Sequence, residues 1–359
     1  MKIKKSSFYN IFKILKSSLV FIGLIYSSGS FGQEIPVSLE IKQESNFNHY
    51  EALKTINTTK DDTSKVRLLI RISHVFWRGK TSTNHWLDSV FIIAGKARIL
   101  SQKLHFSSGY TESSYIICRY FLEKNDFKSA KSLLPSFFGE SKVRLLLIIC
   151  ERTIYKDKPE SAELAEAYND LSTARLICTE IHSLRWLYQC DLLMGKYHFK
   201  QGEYKRGKED ILRIIKSCER ESDLTGMAHF WSELGRYMPQ TDSTYRDKIY
   251  SHGMALKYYL QAGNTVEAAY SLRDMAYISF DFNQYALATK QMLQVVEMLK
   301  SANAQVSFTT YSNLSEMYRI RGEFNKSIFY MLEALKAPKT SERNELHAYG
   351  LMGSLYVEL

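Results

Sequence analysis

The feature that most constrains this chain is its self-similarity at intervals of about forty residues, a period that indicates a stacked repeat rather than a single closed core. Tyr311, Leu314, Ser315, Tyr318, Gly322, Phe324, Ser327, Met331 and Ala334 set out one unit of large and small residues. Leu272, Met275, Ala276, Ser279, Asn283, Tyr285, Ala288, Met292 and Val295 repeat its offsets. Met194, Gly195, Gly202, Tyr204, Gly207, Ile211 and Ile214 occupy the same slots earlier, and Trp231, Leu234 and Gly235 open a unit whose second helix closes on Ala255 after a longer loop. Upstream, Ser114, Ile117, Cys118, Phe121, Asn125, Phe127, Ala130, Leu134 and Phe137 fit. Residues 148–171 fit poorly, because Arg152 stands where a small residue belongs. Val66–Trp77 and Trp86–Gln102, the latter with Val90, Ala94 and Ala97, supply one further helix pair. With only 5 prolines and 17 glycines, the chain has few residues that would break helices, so each unit reads as two helices joined briefly.

The physical logic is that of a helix hairpin. Two axes come close only where side chains are small, so Gly195, Gly235 and Ala276 face Gly207, Ala288 or Ser327, and Tyr204, Tyr285 and Phe324 fill the space beside the turn. A single hairpin leaves an apolar face open, which the next hairpin covers.

This pattern resembles the tetratricopeptide repeat: a bulky residue, Leu-Gly three positions on, a tyrosine, a turn glycine, an aromatic and spaced alanines. The resemblance covers most of residues 65–359, with each unit degenerate. It implies an all-α, right-handed superhelical solenoid of antiparallel helix hairpins whose first helices line a concave groove. In the family the groove slots follow the bulky slot by one, five and eight or nine positions. Here they fall on Lys196, Phe199 and Lys200, on Arg236, on Arg273, Tyr277 and Phe280, and on Glu316 and Arg319. Basic residues alternate with aromatics, which points to a protein or peptide partner, acidic or carboxylate-bearing, with hydrophobic anchors.

Residues 1–32 read as an address. Lys2, Lys4, Lys5, Lys13 and Lys16 precede the apolar run Leu19–Tyr26, then mostly small residues to Gly32, the order of a secretory signal cleaved after Gly32. A retained anchor is the rival reading, but the run falls short of the ~20 residues that span a bilayer. The expected organisation is a signal peptide at 1–32, an N-terminal helical or linker segment at 33–64 and the array at 65–359. The expected location is periplasmic or cell-envelope, with membrane contact only through the signal or a missing C-terminal part. Tyr349, Met352, Gly353 and Tyr356 begin another unit, so the array is expected to continue beyond Leu359.

The leader also explains much of the charge. It holds five of the 48 basic residues and no acid; the other 43 face 38 acids, an ordinary surface rather than the basic stripe that nucleic acid requires. Cys118, Cys150, Cys178, Cys190 and Cys218 are odd in number and widely spaced, which suits small apolar core positions on helices and leaves room for no more than one incidental bridge. Gly79-Lys80-Thr81 mimics the tail of a phosphate-binding loop, but His74 stands where that loop needs glycine. His182, His198 and His252 form no metal-binding pattern and read as surface or groove residues. No catalytic constellation or cofactor motif stands out. The expectation is a non-catalytic binding scaffold; the alternative is the extracytoplasmic sensory region of a bacterial signalling protein, a histidine kinase or helix-turn-helix regulator with its output domain beyond residue 359.

Overall fold

The structure, a computed structural model, describes residues 55–78, 85–337 and 344–353, apart from positions 57, 345 and 347. The signal at 1–32, most of the 33–64 segment, Gly79-Lys80-Thr81 and Tyr356 lie outside the described residues. Among the described residues the regular elements are all helices. The chain divides into two compact units at Tyr120, inside the third long helix.

In the first unit, α1 (Thr63–Arg78) pairs with α2 (His85–Lys103), and α3 (Ser107–Glu123) carries the chain into the second. Val66, Leu69 and Ile70 of α1 and Val90, Ala94 and Ala97 of α2 are buried, the i, i+3, i+4 spacing of a helix with one apolar face. The second unit contains a short α4 (Phe127–Lys131), a 3₁₀ turn at Leu134–Ser136 and five hairpins. These are α5 (Gly139–Ile154) with α6 (Ser161–Glu180), and α7 (Leu184–Lys200) with α8 (Tyr204–Arg220). They continue with α9 (Leu224–Tyr237) and α10 (Tyr245–Gln261), α11 (Thr265–Asp281) and α12 (Tyr285–Ser301), and α13 (Phe308–Ile320) and α14 (Phe324–Leu335). Each hairpin's second helix packs on the next hairpin's first, so neighbours cover one another's apolar faces. Between the last two hairpins, Met292, Val295, Leu299, Leu314 and Met317 form a continuous buried cluster. Ala348, at the start of a helical stretch to Gly353, packs against it together with Leu351 and Met352.

Most joints in the second unit close in one way. A residue in the left-handed region ends the helix, and the next N–H bonds back to a carbonyl five residues earlier, which satisfies the last free acceptors of the helix. Gly202 (φ 78°), Ser222 (φ 56°), Gly263 (φ 74°), Asn283 (φ 60°) and Gly322 (φ 74°) hold this position. The return bonds run from Glu203 to His198, Asp223 to Cys218, Asn264 to Tyr259, Gln284 to Ser279 and Glu323 to Tyr318, all at 2.8–3.0 Å. The same closure serves turns inside hairpins and turns between them.

Hairpins with this short turn place their close-approach residues twelve positions apart. Gly195 meets Gly207, and a Cβ on Gly195 would lie 3.1 Å from the Gly207 carbonyl. Ala276 and Ala288 are both fully buried, and the Ser315 hydroxyl donates to the Ser327 carbonyl at 2.7 Å. Two hairpins have longer loops, with Pro159 and Pro239, and there the spacing is seventeen. The Cys150 thiol sits 3.5 Å from the Ala167 carbonyl, and a Cβ on Gly235 would lie 2.6 Å from His252 Nε2.

This geometry corrects three sequence expectations. In the poorly fitting unit the small residue is Cys150, fully buried, while Arg152 two positions later is 43% exposed and pairs with Glu123 at 3.2 Å. In the next long-loop unit His252 lies opposite Gly235, so His252 is a buried residue and not a surface one; His198 is buried too. Finally, the unit read through Phe137 has no full second helix. Pro135 lacks an N–H and disfavours helix at Leu134, so α4 stops at Lys131 and the chain turns through a 3₁₀ segment.

Candidate binding face

The first helices of successive hairpins (α7, α9, α11 and α13) are joined by a polar ladder with a simple rule. The residue five positions after the bulky slot of one unit reaches the residue two positions after it in the next. Lys196 Nζ lies 3.0 Å from Glu233 Oε2; Arg236 Nη2 lies 3.8 Å from Asp274 Oδ2; Asn313 Nδ2 donates to the Tyr277 hydroxyl at 2.9 Å. Arg236 also bonds Glu233 within its own helix at 2.9 Å, and Arg319 grips Glu316 through two 2.8 Å bonds.

Burial makes the first rung the most consequential. Lys196 is 7% exposed and Glu233 is 0% exposed. Burial alone would push the Glu233 carboxyl up, but Lys196 and Arg236 beside it hold it below the usual range. Burial likewise opposes the Lys196 charge, and Glu233, Tyr237 and Glu151 together outweigh it, so its pKa is raised. The Tyr237 ring, 4.1 Å from Lys196 Nζ, adds a cation–π contact.

Arg273 ends the charged part of the ladder. Its guanidinium lies 4.8 Å from the Tyr270 ring and 5.8 Å from the Tyr277 ring, and its ion pair is with the adjacent Asp274 at 3.3 Å. Its Nε is buried without a hydrogen-bond partner. Lys196, Arg236 and Arg273 thus lie around Glu233 and Asp274, with Glu151 also acting on Lys196.

No protein-family profile matches the chain. Among curated proteins it is similar to response regulator aspartate phosphatase E of Bacillus subtilis (strain 168), with 25% identity over 196 residues, 52% of this chain and 50% of that protein. The match thus spans about half the length of that relative. Among solved structures, the apo form of RapI superposes with a TM-score of 0.52 at 11% identity, covering 85% of this chain and 82% of that one. A STAND protein with a tetratricopeptide repeat sensor from Pyrococcus horikoshii gives a TM-score of 0.49 at 14% identity, covering 82% and 50%. The RapI likeness concerns the fold. The chain is a tetratricopeptide-like repeat array.

Within the array, the nine residues assigned to the groove separate into three groups. Lys196, Arg236, Arg273 and Tyr277 come together in the ladder, and Glu316 with Arg319 forms the equivalent pair on α13. Phe199 does not face solvent: it is buried against Ile211 and Ile214, and its ring occupies the space a Cβ on Gly207 would need. Lys200 is exposed, and Phe280 is half-buried with its ring 5.3 Å from Tyr285, beside the turn. The expectation that Lys196 faces solvent is corrected by its partner on the next repeat. Sequence reading missed Glu233, Asp274 and Asn313, although all three share one slot, two positions after the bulky residue.

Elsewhere the array holds a buried His198–Asp210 pair at 2.7 Å. Arg213 also bonds Asp210, at 2.9 Å, so the carboxylate is fully engaged. A cleft of about 470 Å³ between α6, α7 and α8 is lined by Arg175, Leu184, Tyr188, Asp191 and Arg213, with Arg175 tied to Asp191 at 2.6 Å. No group of three or more potential metal ligands occurs among the described residues. No helix among them is long and apolar enough to cross a membrane.

Proposed function

We propose that the array is a non-catalytic scaffold that holds a protein or peptide segment along its first helices, with Arg273 anchoring a carboxylate of the partner. The observation that carries this reading is the Arg273 side chain. Its Nε is a buried donor without a hydrogen-bond partner, and its guanidinium lies beside two tyrosine rings. An extended segment could lay a carboxylate on the guanidinium and apolar groups on Tyr270 and Tyr277, the pairing of charged hydrogen bond and aromatic anchor that dominates interface energies. The exposed Lys200 steers an acidic partner towards the face. In this reading the chain works outside the cytoplasm, carried there by residues 1–32.

The test uses fluorescently labelled extended peptides of matched length carrying acidic, neutral or basic side chains, titrated against the purified protein. Acidic peptides should bind most tightly, and Arg273→Glu should weaken them at least tenfold while the far-UV circular dichroism stays unchanged. Equal binding of all three classes, or no effect of Arg273→Glu, would remove the anchor from this face.

A signalling role is the second reading. The likeness over half a chain to a response regulator aspartate phosphatase favours a partner that belongs to a signalling pathway. Flanking gene sequence encoding a membrane span and an output domain would support the sensory version.

A further inference from the structure

We propose that Cys178 and Cys190 form an intramolecular disulfide site that covalently joins the hairpin α5/α6 to the hairpin α7/α8. The two Sγ atoms lie 3.7 Å apart in mutual contact, and the residues are 1% and 0% exposed. Cys178 stands in the last turn of α6 and Cys190 in the first half of α7. The joint between them is closed by His182 (φ 53°), and the Ser183 N–H bonds the Cys178 carbonyl at 3.0 Å. That bond fixes the backbone that carries Cys178, so the sulfurs are held together by the fold and do not meet by chance. Closing the bond brings the sulfurs from 3.7 Å to about 2.05 Å.

The other cysteines have different surroundings. Cys150 faces the Ala167 carbonyl across its own hairpin, and Cys218 lies in the cluster with Ile211, Ile214 and Met227. Either thiol can donate in this contact; the contact lowers the Cys178 pKa, while the same contact and burial raise that of Cys190. Either cysteine can attack first with the same overall balance, and one order starts from Cys178. Its thiolate attacks a low-molecular-weight disulfide RSSR, forming a mixed disulfide and releasing RS⁻, which takes up the proton that Cys178 lost. The Cys190 thiolate then attacks the Cys178 sulfur of the mixed disulfide, closing the internal bond and releasing a second RSH. The protein dithiol loses two electrons and two protons, and RSSR becomes two RSH. Because both thiols are buried, exchange takes place while the His182 joint is open, and docking of α7 afterwards shields the bond from reductant.

The experiment uses the purified full chain, incubated folded, and separately refolded, with oxidised and reduced glutathione. Free thiols are alkylated and the protein is digested with trypsin. Cleavage after Arg175, Arg185 and Lys196 puts Cys178 in peptide 176–185 and Cys190 in peptide 186–196. The expected result is a cross-linked pair of these peptides, two hydrogens lighter than their sum, with a melting temperature above that of the dithiothreitol-treated protein. The variant Cys190→Ala should keep the helical spectrum, lose the cross-link and melt at one temperature in either redox state. Recovery of both peptides singly alkylated or glutathionylated under both regimes would overturn the proposal, as would a bond from either cysteine to Cys150 or Cys218.

Discussion

Replacing Glu233 by leucine removes the one fully buried carboxylate that compensates Lys196. At the observed 3.0 Å, and with an effective dielectric constant of about 20, the direct attraction is about 5–6 kcal/mol. Desolvation of both charges consumes much of this, so the pair contributes little net stability relative to an apolar pair of the same shape. Breaking it from one side is different. In Glu233→Leu the Lys196 ammonium stays buried, with the Tyr237 face as its main compensation, worth roughly 1–2 kcal/mol. Arg236 also loses its 2.9 Å partner Glu233, with Asp274 at 3.8 Å still beside it. The expected loss is about 3–5 kcal/mol. The double variant Lys196→Met/Glu233→Leu should return to within about 1–2 kcal/mol of the parent, since the cavity is filled and no charge is stranded. Urea unfolding followed by circular dichroism and tryptophan fluorescence measures both, with midpoints compared in case the array unfolds in stages. If the single variant costs less than about 1 kcal/mol, or the double variant costs the sum of the two singles, the ladder is not the coupled unit described here. The pH dependence has a definite sign. The folded Glu233 carboxyl is depressed below its unfolded value, so its stabilisation is present above the ordinary glutamate range and fades as pH falls through the depressed folded value. Glu233→Leu should lack that acid-side loss.

Two further outcomes follow from the corrected register and from the buried histidine. Cys150→Leu should overpack the α5/α6 contact and cost about 1–3 kcal/mol, whereas Arg152→Ala, at an exposed surface pair, should change stability by less than about 1 kcal/mol; urea midpoints for the two variants check this. Burial holds the His252 pKa down at about 4, Asp274 opposing and Lys248 and Arg236 assisting, so the folded state refuses a proton that the unfolded state accepts. Stability should therefore drop between about pH 6.5 and pH 4, by roughly 3 kcal/mol in total, and His252→Gln should flatten that part of the melting-temperature profile.

The helical class and the register of three hairpins are legible in the sequence, because a small residue twelve positions from another small residue is a local signal that survives degeneracy. Gly195 with Gly207 and Ser315 with Ser327 show it directly. The register slips where a longer loop moves the close approach to seventeen positions. Cys150 was then passed over for Arg152, and a histidine stood unnoticed in a small-residue slot because Gly235 opposite makes room for its ring. The binding face is only half legible. Lys196, Arg236 and Tyr277 were found at their slots, but a lysine's exposure depends on what the next repeat presents some forty residues later. Glu233 is neither a turn residue nor an aromatic, so nothing local marks it as the partner that draws Lys196 inward.

The common closure of the joints bears on how such a chain could be inherited. A junction that accepts glycine, serine or asparagine at its left-handed position, and reads the same inside a hairpin as between hairpins, can be cut and rejoined almost anywhere. Deleting α9 and α10 would join the Ser222 turn to α11 and set Lys196 opposite Asp274, still a cation facing a carboxylate. Deleting α11 and α12 would set Arg236 opposite Asn313, a donor facing an amide oxygen. Unequal crossing-over could then shorten or lengthen the gene by whole repeats without leaving a rung that repels itself, and lineages of different length would remain foldable from the first generation.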